Sequence, residues 1–143
     1  MLNQLRDKAH GITSSKGFWD SYNLIITALE KGVQLTPEQI EEVKRAFSSE
    51  RLLLVVSEIG EMVEARRAGK KADWEAYDKE TDGVEVNPDA FKEYIKDSPE
   101  DELADAMIRI FSMSGLEEIN LQKHVSEKMR YNQSRERLHG KQF

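Results

Sequence analysis

The sequence predicts an all-α protein, an antiparallel four-helix bundle that assembles as an oligomer. Apolar residues recur at helical spacing in four long segments, and no segment shows the regular alternation of a half-buried strand. The chain of 143 residues has 8 glycines and 3 prolines, which is too few for a linker-rich chain or an all-β chain of short strands. Because 38% of the residues are hydrophobic, residues 1–143 are predicted to form a single domain.

Four main helices are predicted, each from an apolar stripe with a start or stop signal: residues 17–31, 36–68, 98–114 and 119–137. Thr36 and Ser98 are N-cap residues, and each is followed by a proline, which favours the first position of a helix. Gly32, Gly69 and Gly115 follow three of the predicted C-terminal ends, where a left-handed cap is common.

The second helix has a candidate break at residues 48–49 and an unusual apolar pattern after it. Between Leu52 and Val63 its apolar residues cover more than one stripe, so most of its circumference is predicted to be buried. A chain of this size cannot cover so much apolar surface by itself. We therefore expect a partner subunit on one side, in a homodimer or homotetramer.

The other segments are predicted from simpler patterns. The fourth helix is expected to face the core with Leu121, Val125 and Met129, which recur every four residues. The polar stretch at about 70–97 is predicted to be an acidic loop or insertion that contains a short helix at 88–96.

Composition excludes several classes of function. The chain has no cysteine, which excludes disulfides, zinc–thiolate sites, iron–sulfur clusters and thiol catalysis. No apolar run approaches the 18 or so residues that cross a bilayer, and the first residues lack the pattern of a signal peptide. A net charge of −6 argues against general nucleic-acid binding. We therefore expect a cytoplasmic protein that binds neither nucleic acid nor membrane.

Charge is distributed unevenly along the chain. Residues 73–105 contain 13 acids and 3 lysines, a net charge of −10, whereas residues 123–141 contain 6 bases and 2 acids, a net charge of +4. These two regions could pair with each other, or they could together hold a metal ion and an anionic ligand.

Two predicted helices each carry a pair of acids three residues apart. Glu58 and Glu61 lie in the apolar second helix, and Glu102 and Asp105 repeat the spacing in the third. Residues three apart project from one face of a helix, where buried carboxylates repel each other unless a cation joins them. Four carboxylates with no histidine or cysteine beside them predict an oxygen-only site for Mg²⁺, with Mn²⁺ as a possible substitute.

Other interpretations of the acidic residues stay open at this point. Either pair alone is also typical of a solvated helix face or of salt bridges to nearby arginines. A di-iron bundle needs a Glu-x-x-His pair from each of two helices, and only Glu136 and His139 have that spacing. Residues 78–89 resemble a calcium loop, but Glu85 and Asp89 stand where an aliphatic residue and a bidentate glutamate are expected.

The fourth predicted helix carries a stripe of His124, Lys128, Asn132 and Arg135 along one side. Lysine and arginine bind phosphate oxygens, and asparagine can bind a sugar or a base edge, so the stripe is typical of a site for a phosphorylated ligand. The alternative is that these residues only balance the acidic loop. Trp19 is either a residue that stacks on a base or a residue of the core.

Four stretches together resemble the MazG-like, all-α nucleoside triphosphate pyrophosphohydrolases: Ser-Glu-Ile-Gly-Glu-Met-Val-Glu-Ala-Arg-Arg (57–67), Glu-Leu-Ala-Asp-Ala-Met-Ile-Arg-Ile (102–110), Lys-Met-Arg-Tyr-Asn-Gln-Ser-Arg (128–135) and His-Gly-Lys-Gln-Phe (139–143). The Gly-Phe-Trp-Asp stretch at 17–20 is also similar to the start of many members. The stretches follow the family's order, and the similarity extends over most of the chain from residue 10 onward.

The resemblance implies Mg²⁺-dependent cleavage of an NTP or dNTP between its α and β phosphates, which gives the monophosphate and pyrophosphate. The implied role is house-cleaning, the removal of unwanted nucleotides from the cellular pool. The resemblance implies that the four carboxylates of the two helical pairs bind the metal ion and act as the catalytic residues. It also implies that Lys128 and Asn132 contact the nucleotide. Three further residues are candidates for substrate binding: Trp19, Arg135 and Lys141.

The chain departs from the family's pattern in two places. Many members have two consecutive acids where this chain has Ser57-Glu58, and the gap at 62–101 is longer than usual. The resemblance does not identify the base of the nucleotide. The alternative function is a non-catalytic, acidic helical binding module, which would show no metal-dependent release of pyrophosphate.

Overall fold

The structure, a computed structural model, describes residues 1–32, 35–81 and 85–136. These residues form seven helices and no strand, which confirms the all-α class. The helices are α1 (Leu2–Ser15), α2 (Asp20–Lys31), α3 (Pro37–Arg67), α4 (Trp74–Glu80), α5 (Pro88–Tyr94), α6 (Pro99–Leu116) and α7 (Leu121–Gln133). Across the described ranges, none of the helices combines the length and the apolar character that crossing a membrane requires.

The helix α3 is continuous over 31 residues, about 46 Å. It begins with a capping box, in which Gln39 N donates to Thr36 Oγ1 at 3.3 Å and Thr36 N donates to Gln39 Oε1 at 2.9 Å. The break expected at residues 48–49 does not occur. Ser49 Oγ donates to the carbonyl of Arg45 at 2.9 Å, so its hydroxyl is satisfied within the helix and does not compete with it.

Two helices were not predicted from the sequence, α1 and α4. The helix α1 carries Leu2, Leu5, Ala9 and Ile12 at helical spacing, and of these only Ala9 is buried. The helix α4 lies in the segment 70–97, which therefore contains two short helices in addition to loop residues; residues 82–84 lie outside the described ranges. The carboxylate of Asp73 caps α4 by accepting from Ala76 N at 2.9 Å.

The chain divides into two compact units, of which the first comprises residues 1–18 and the chain from Phe111 onward. In this unit Asn3 Nδ2 donates to Asn120 Oδ1 at 2.9 Å, and Gln122 N donates to Asn3 Oδ1 at 3.0 Å. The same Oδ1 of Asn120 accepts from Lys123 N at 3.1 Å and so caps α7. The start of α7 is therefore held against α1 by this asparagine pair, together with the hydrogen bonds that Met1 N donates to Gln122 Oε1 and Arg6 Nη1 donates to the carbonyl of Ile119.

The helix α1 and the end of α6 approach each other closely at Gly115. A Cβ atom at this position would lie 2.5 Å from Cβ and 2.7 Å from Cγ of His10. One turn away, the hydroxyl oxygens of Thr13 and Ser112 lie 2.5 Å apart. Gly115 was predicted to end the helix, but α6 continues to Leu116, and the missing side chain of Gly115 makes room for this close contact.

The second unit, Trp19–Ile110, contains α2 to α5 and the first part of α6. Here Asp73 N donates to the carbonyl of Tyr94 at 2.9 Å, which ties the start of α4 to the end of α5. Ser98 Oγ accepts from Asp101 N at 3.2 Å, which confirms the predicted N-cap of α6. Asp97, whose φ is +58°, donates its N–H to Asp101 Oδ2 at 3.0 Å and shapes the turn into α6.

The outward side of α3 is exposed. Five apolar residues, here called the outer stripe, expose between 39% and 68% of their surface: Leu52, Leu53, Val56, Ile59 and Val63. In the single chain the inward side of α3 is the side of Glu58 and Ala65, and burial of the outer stripe by a partner subunit stays a prediction. The core face predicted for α7 is also wrong, since Val125 is 36% and Met129 is 59% exposed.

Replacing Gly115 by alanine should destabilise the first unit by about 1–3 kcal/mol, the usual cost of overpacking, since the added methyl group overlaps His10. Urea denaturation followed by circular dichroism measures the loss. Gly11→Ala in α1 is the matched control, because its methyl group would meet nothing within 4 Å. That control should be neutral or stabilise by about 0.5–1 kcal/mol. Equal stability of both variants would contradict the packing described.

Candidate functional site

Three carboxylates come together in the second unit, from α3 and α6. Glu58, Glu102 and Asp105 each place one carboxylate oxygen within 4.8 Å of the others, and we call these residues the carboxylate cluster. Glu58 and Glu102 are each 6% exposed, whereas Asp105 is exposed to solvent. The structure thus brings together three of the four acids predicted to hold a metal ion.

Helical spacing positions the members of the cluster. On α6, Glu102 and Asp105 are three residues apart and share one face, as predicted. On α3, Glu58 points inward on the same side as Ala65, seven residues later. Ser98 caps the first turn of α6 and is itself buried, so Glu102 projects from a well-anchored helical turn.

Glu58 forms an ion pair with Arg109, a residue that was not predicted to belong to the site. Glu58 Oε1 accepts from Arg109 Nε at 2.6 Å and lies 2.5 Å from Nη2. A carboxylate buried without a partner costs several kcal/mol, and the guanidinium group gives the buried Glu58 that partner. The sequence held a signal for this contact, since Arg109 follows Asp105 by four residues and therefore lies on the same face of α6.

The environment raises the pKa of two carboxyl groups in the cluster. Burial raises the pKa of Glu102, and the negative charges of Glu61 and Glu58 raise it further. Partial loss of hydration by the surrounding protein raises the pKa of Asp105, although the residue keeps exposed surface; the charges of Asp101 and Glu58 also raise it, and Arg109 partly offsets them. The cluster therefore carries more negative charge than one guanidinium group neutralises.

Glu61 lies outside the carboxylate cluster. Its side chain is exposed and accepts a hydrogen bond from Ser57 Oγ at 3.1 Å. Its charge is nevertheless the second-largest cause of the raised pKa of Glu102, so it acts on the cluster electrostatically. The role of Glu61 as a fourth metal ligand stays a prediction.

The cluster fits a hard divalent cation. All its ligand atoms are carboxylate oxygens, which Mg²⁺ and Mn²⁺ prefer. Two oxygens on one Mg²⁺ ion lie at most about 4.2 Å apart, at metal–oxygen distances of about 2.0–2.1 Å, and oxygens within 4.8 Å of one another need to move little to reach that spacing. A bound cation would also relieve the repulsion that raises the pKa of Glu102 and Asp105.

The residues predicted to bind the substrate belong to the first unit, apart from Trp19. Lys128, Asn132 and Arg135 are exposed, and α7 ends at Gln133, before the last of them. Lys128 Nζ lies 5.1 Å and Arg135 Cζ lies 5.7 Å from the ring centroid of Tyr131. Lys141 lies outside the described residues. The roles of these side chains in substrate binding stay predictions.

Trp19 packs inside the second unit. Its side chain is 4% exposed, and the guanidinium carbon of Arg51 lies 5.0 Å from its ring centroid. Tyr22 meets the indole edge-on at 6.1 Å and in turn contacts Phe47 at 5.4 Å. This packing is typical of a core residue, and stacking on a nucleotide base stays a prediction.

The chain matches none of the protein families, curated proteins or solved structures with which it was compared. What the protein does must therefore be inferred from the carboxylate cluster and from the residues around it.

Without metal, Glu102→Gln should be more stable than the wild type at neutral pH, because it removes a buried charge from a group of repelling carboxylates. The raised pKa means that folded wild type takes up a proton at Glu102 at a higher pH than the unfolded chain does. Wild-type stability should therefore rise as the pH falls through the raised pKa, and its difference from the variant should shrink. Urea denaturation in EDTA between pH 7 and 5 measures both effects.

The matched control for this experiment is Glu64→Gln, also a glutamate-to-glutamine change. Glu64 is exposed on α3 and pairs with Arg67 at the surface, so its loss should change stability by less than about 1 kcal/mol at either pH. A Glu102→Gln protein less stable than the wild type at pH 7 would show that repulsion is not the main force in the cluster.

Proposed function

We propose that the protein is a Mg²⁺-dependent nucleoside triphosphate pyrophosphohydrolase of the MazG-like type, which converts an NTP or dNTP to the monophosphate and pyrophosphate. The observation that carries the proposal is the carboxylate cluster. Its members Glu58, Glu102 and Asp105 stand at positions to which the resemblance assigns metal ligands. Mn²⁺ is proposed as a substitute for Mg²⁺, since both ions favour oxygen ligands.

In this proposal Glu58, Glu102 and Asp105 hold the cation, and Glu61 completes the ligand set. When bound, the ion would neutralise polyphosphate charge and acidify an attacking water. Asp105 is the solvent-exposed member of the cluster, so its carboxylate is the most accessible acceptor for the proton of a water molecule. Lys128, Asn132 and Arg135 are proposed to contact the nucleotide, with the two cations on its phosphates.

A non-catalytic helical binding module is the second candidate. The ion pair between Glu58 and Arg109 favours it, because this pair already gives the cluster one counter-charge without a metal ion. The two candidates differ in chemistry: only the enzyme releases pyrophosphate from a nucleoside triphosphate. A panel of NTPs and dNTPs with Mg²⁺, assayed for pyrophosphate, separates them and identifies the substrate.

Glu102→Gln, Asp105→Asn and Glu61→Gln should each lower Mg²⁺-dependent pyrophosphate release by roughly 100-fold or more. Each removes a charged ligand, and even residues that only support metal ligands contribute about 10–100-fold. Release is measured on the best nucleotide of the panel, and circular dichroism checks that each variant is folded. Glu64→Gln should keep wild-type activity. Near-normal turnover in Glu102→Gln and Asp105→Asn would show that the cluster is not the active site.

Lys128→Ala and Asn132→Ala should lower kcat/KM by about tenfold or more, since a hydrogen bond to a charged ligand contributes about 1.5–3 kcal/mol. Their stability should change little, because both side chains are exposed. Lys123→Ala, which is also exposed on α7 but points about 100° away from the neighbouring stripe residue His124, is the control. If Lys128→Ala and Lys123→Ala both leave catalysis intact, the basic stripe only balances charge.

We also propose that the protein works as a homodimer or homotetramer. In the outer stripe, Leu52, Val56, Ile59 and Val63 follow the 4-3-4 spacing of a coiled-coil seam. Contiguous apolar patches on monomers rarely exceed a few hundred Å². The five exposed aliphatic side chains of the outer stripe form a patch of about that area, so we expect a second subunit to bury them.

Light scattering at micromolar concentration should give at least twice the mass of one chain, and Val56→Lys should shift the protein toward the monomer. A buried interface does not accept an unpaired lysine, whereas an exposed position does. Val86→Lys makes the same substitution at a position that is 73% exposed and lies outside α3, and should leave the mass unchanged. A monomeric wild type would contradict the proposal.

A further inference from the structure

Arg109 is the positive charge in direct contact with the carboxylate cluster in the described part of the chain. Both of its contacting nitrogens reach the same oxygen of Glu58, Nε at 2.6 Å and Nη2 at 2.5 Å. The side chain of Glu58 is 8% exposed, and that of Arg109 is 32% exposed. Arg109 also lies one helical turn after Asp105 on the same face of α6, so its charge stands beside two members of the cluster.

We propose that Arg109 is a built-in counter-cation, which holds Glu58 in the metal-free protein and weakens the binding of a divalent ion to the carboxylate cluster. The inference rests on the metal site of the proposed function and adds its regulation. With Arg109 in place, the carboxylate cluster keeps its geometry without metal, and it binds a divalent ion only when the concentration of that ion is high.

The charge balance gives the direction of the effect. When all four groups are ionised, Arg109 and the three carboxylates sum to −2, and without Arg109 the sum is −3. A divalent ion bound by Glu58 would lie close to the guanidinium group that contacts the same carboxylate. Repulsion between charges a few ångström apart near a protein surface is large enough to change affinity by about tenfold or more.

A purely supporting role for Arg109 predicts the opposite sign. Residues that orient a metal ligand without repelling the ion raise metal affinity, and their loss typically costs about 10–100-fold. The sign of the change in metal affinity therefore decides between a counter-cation and an orienting residue. A merely structural role would lower stability without tightening metal binding.

The experiment measures Mn²⁺ binding to the full chain by isothermal titration calorimetry, without nucleotide. Arg109→Met keeps an unbranched side chain and removes the charge, and it should bind Mn²⁺ about tenfold more tightly than the wild type. Arg109→Gln also removes the charge but keeps an N–H donor for Glu58, so it tests the same effect where the methionine variant does not fold. Arg109→Lys keeps the charge and should stay within about threefold of the wild type.

Arg67→Met is the matched control. Arg67 pairs with the exposed Glu64 on α3, Nη1 to Oε1 at 2.5 Å, so this change removes the same charge from the protein but not from the cluster. Its affinity for Mn²⁺ should equal that of the wild type. Unchanged or weaker Mn²⁺ binding in both neutral variants of Arg109 would overturn the inference.

The outcomes separate this inference from the proposed function. Tighter Mn²⁺ binding by Arg109→Met, with no pyrophosphate release from any nucleotide, supports the counter-cation and overturns the hydrolase. Pyrophosphate release by the wild type, with no tighter binding in the neutral variants, overturns the counter-cation alone. A failure of every protein to bind Mn²⁺ would overturn both.

Discussion

The ion pair between Glu58 and Arg109 joins α3 to α6, and the carboxylate cluster depends on it. An ionised carboxylate is expensive to bury, so a helix face that buries one must bring a positive charge with it. In this chain that charge comes from α6, the helix that also supplies Glu102 and Asp105. The contact that lets Glu58 be buried therefore also sets the distance between the acids of the two helices.

The rest of the second unit supports this arrangement at the start of α6. Its first turn is held by Ser98, by the turn at Asp97 and by Asp101, and the short helices α4 and α5 are tied to each other just before it. The segment that looks like an acidic loop in the sequence thus contains ordered helices next to the start of α6. Contacts outside the cluster fix the start of α6 and the ion pair joins α6 to α3, so the acids stay close although they repel.

The sequence predicts the features that depend on local spacing. The acid pairs of α3 and α6, the caps at Thr36 and Ser98 and the class of the fold all follow from helical periodicity and capping chemistry. Contacts that depend on which two helices pack against each other were not predicted. Arg109 as the partner of Glu58 is one of them.

The apolar faces of α3 and α7 show a limit of sequence periodicity. Periodicity shows which residues share a side of a helix, but it does not show which side meets a neighbour. The apolar residues of α7 were therefore assigned to a core that they do not join, and those of the outer stripe of α3 are exposed in the single chain. Glu61 shows a finer limit, because three residues turn a helix by about 300°, and the remaining 60° separates an inward glutamate from a solvent-exposed one.

The unbroken course of α3 has a consequence for how its length can vary. The aromatic contact of Phe47 and the carboxylate of Glu58 lie on one continuous helix, so their relative direction is fixed by the number of residues between them. One inserted or deleted residue in that interval would turn Glu58 by about 100° away from Arg109. Substitutions between Phe47 and Glu58 leave the direction of Glu58 unchanged, whereas insertions and deletions alter it. The length of this segment therefore fixes the direction of Glu58. Insertions are better accommodated in the connections between helices.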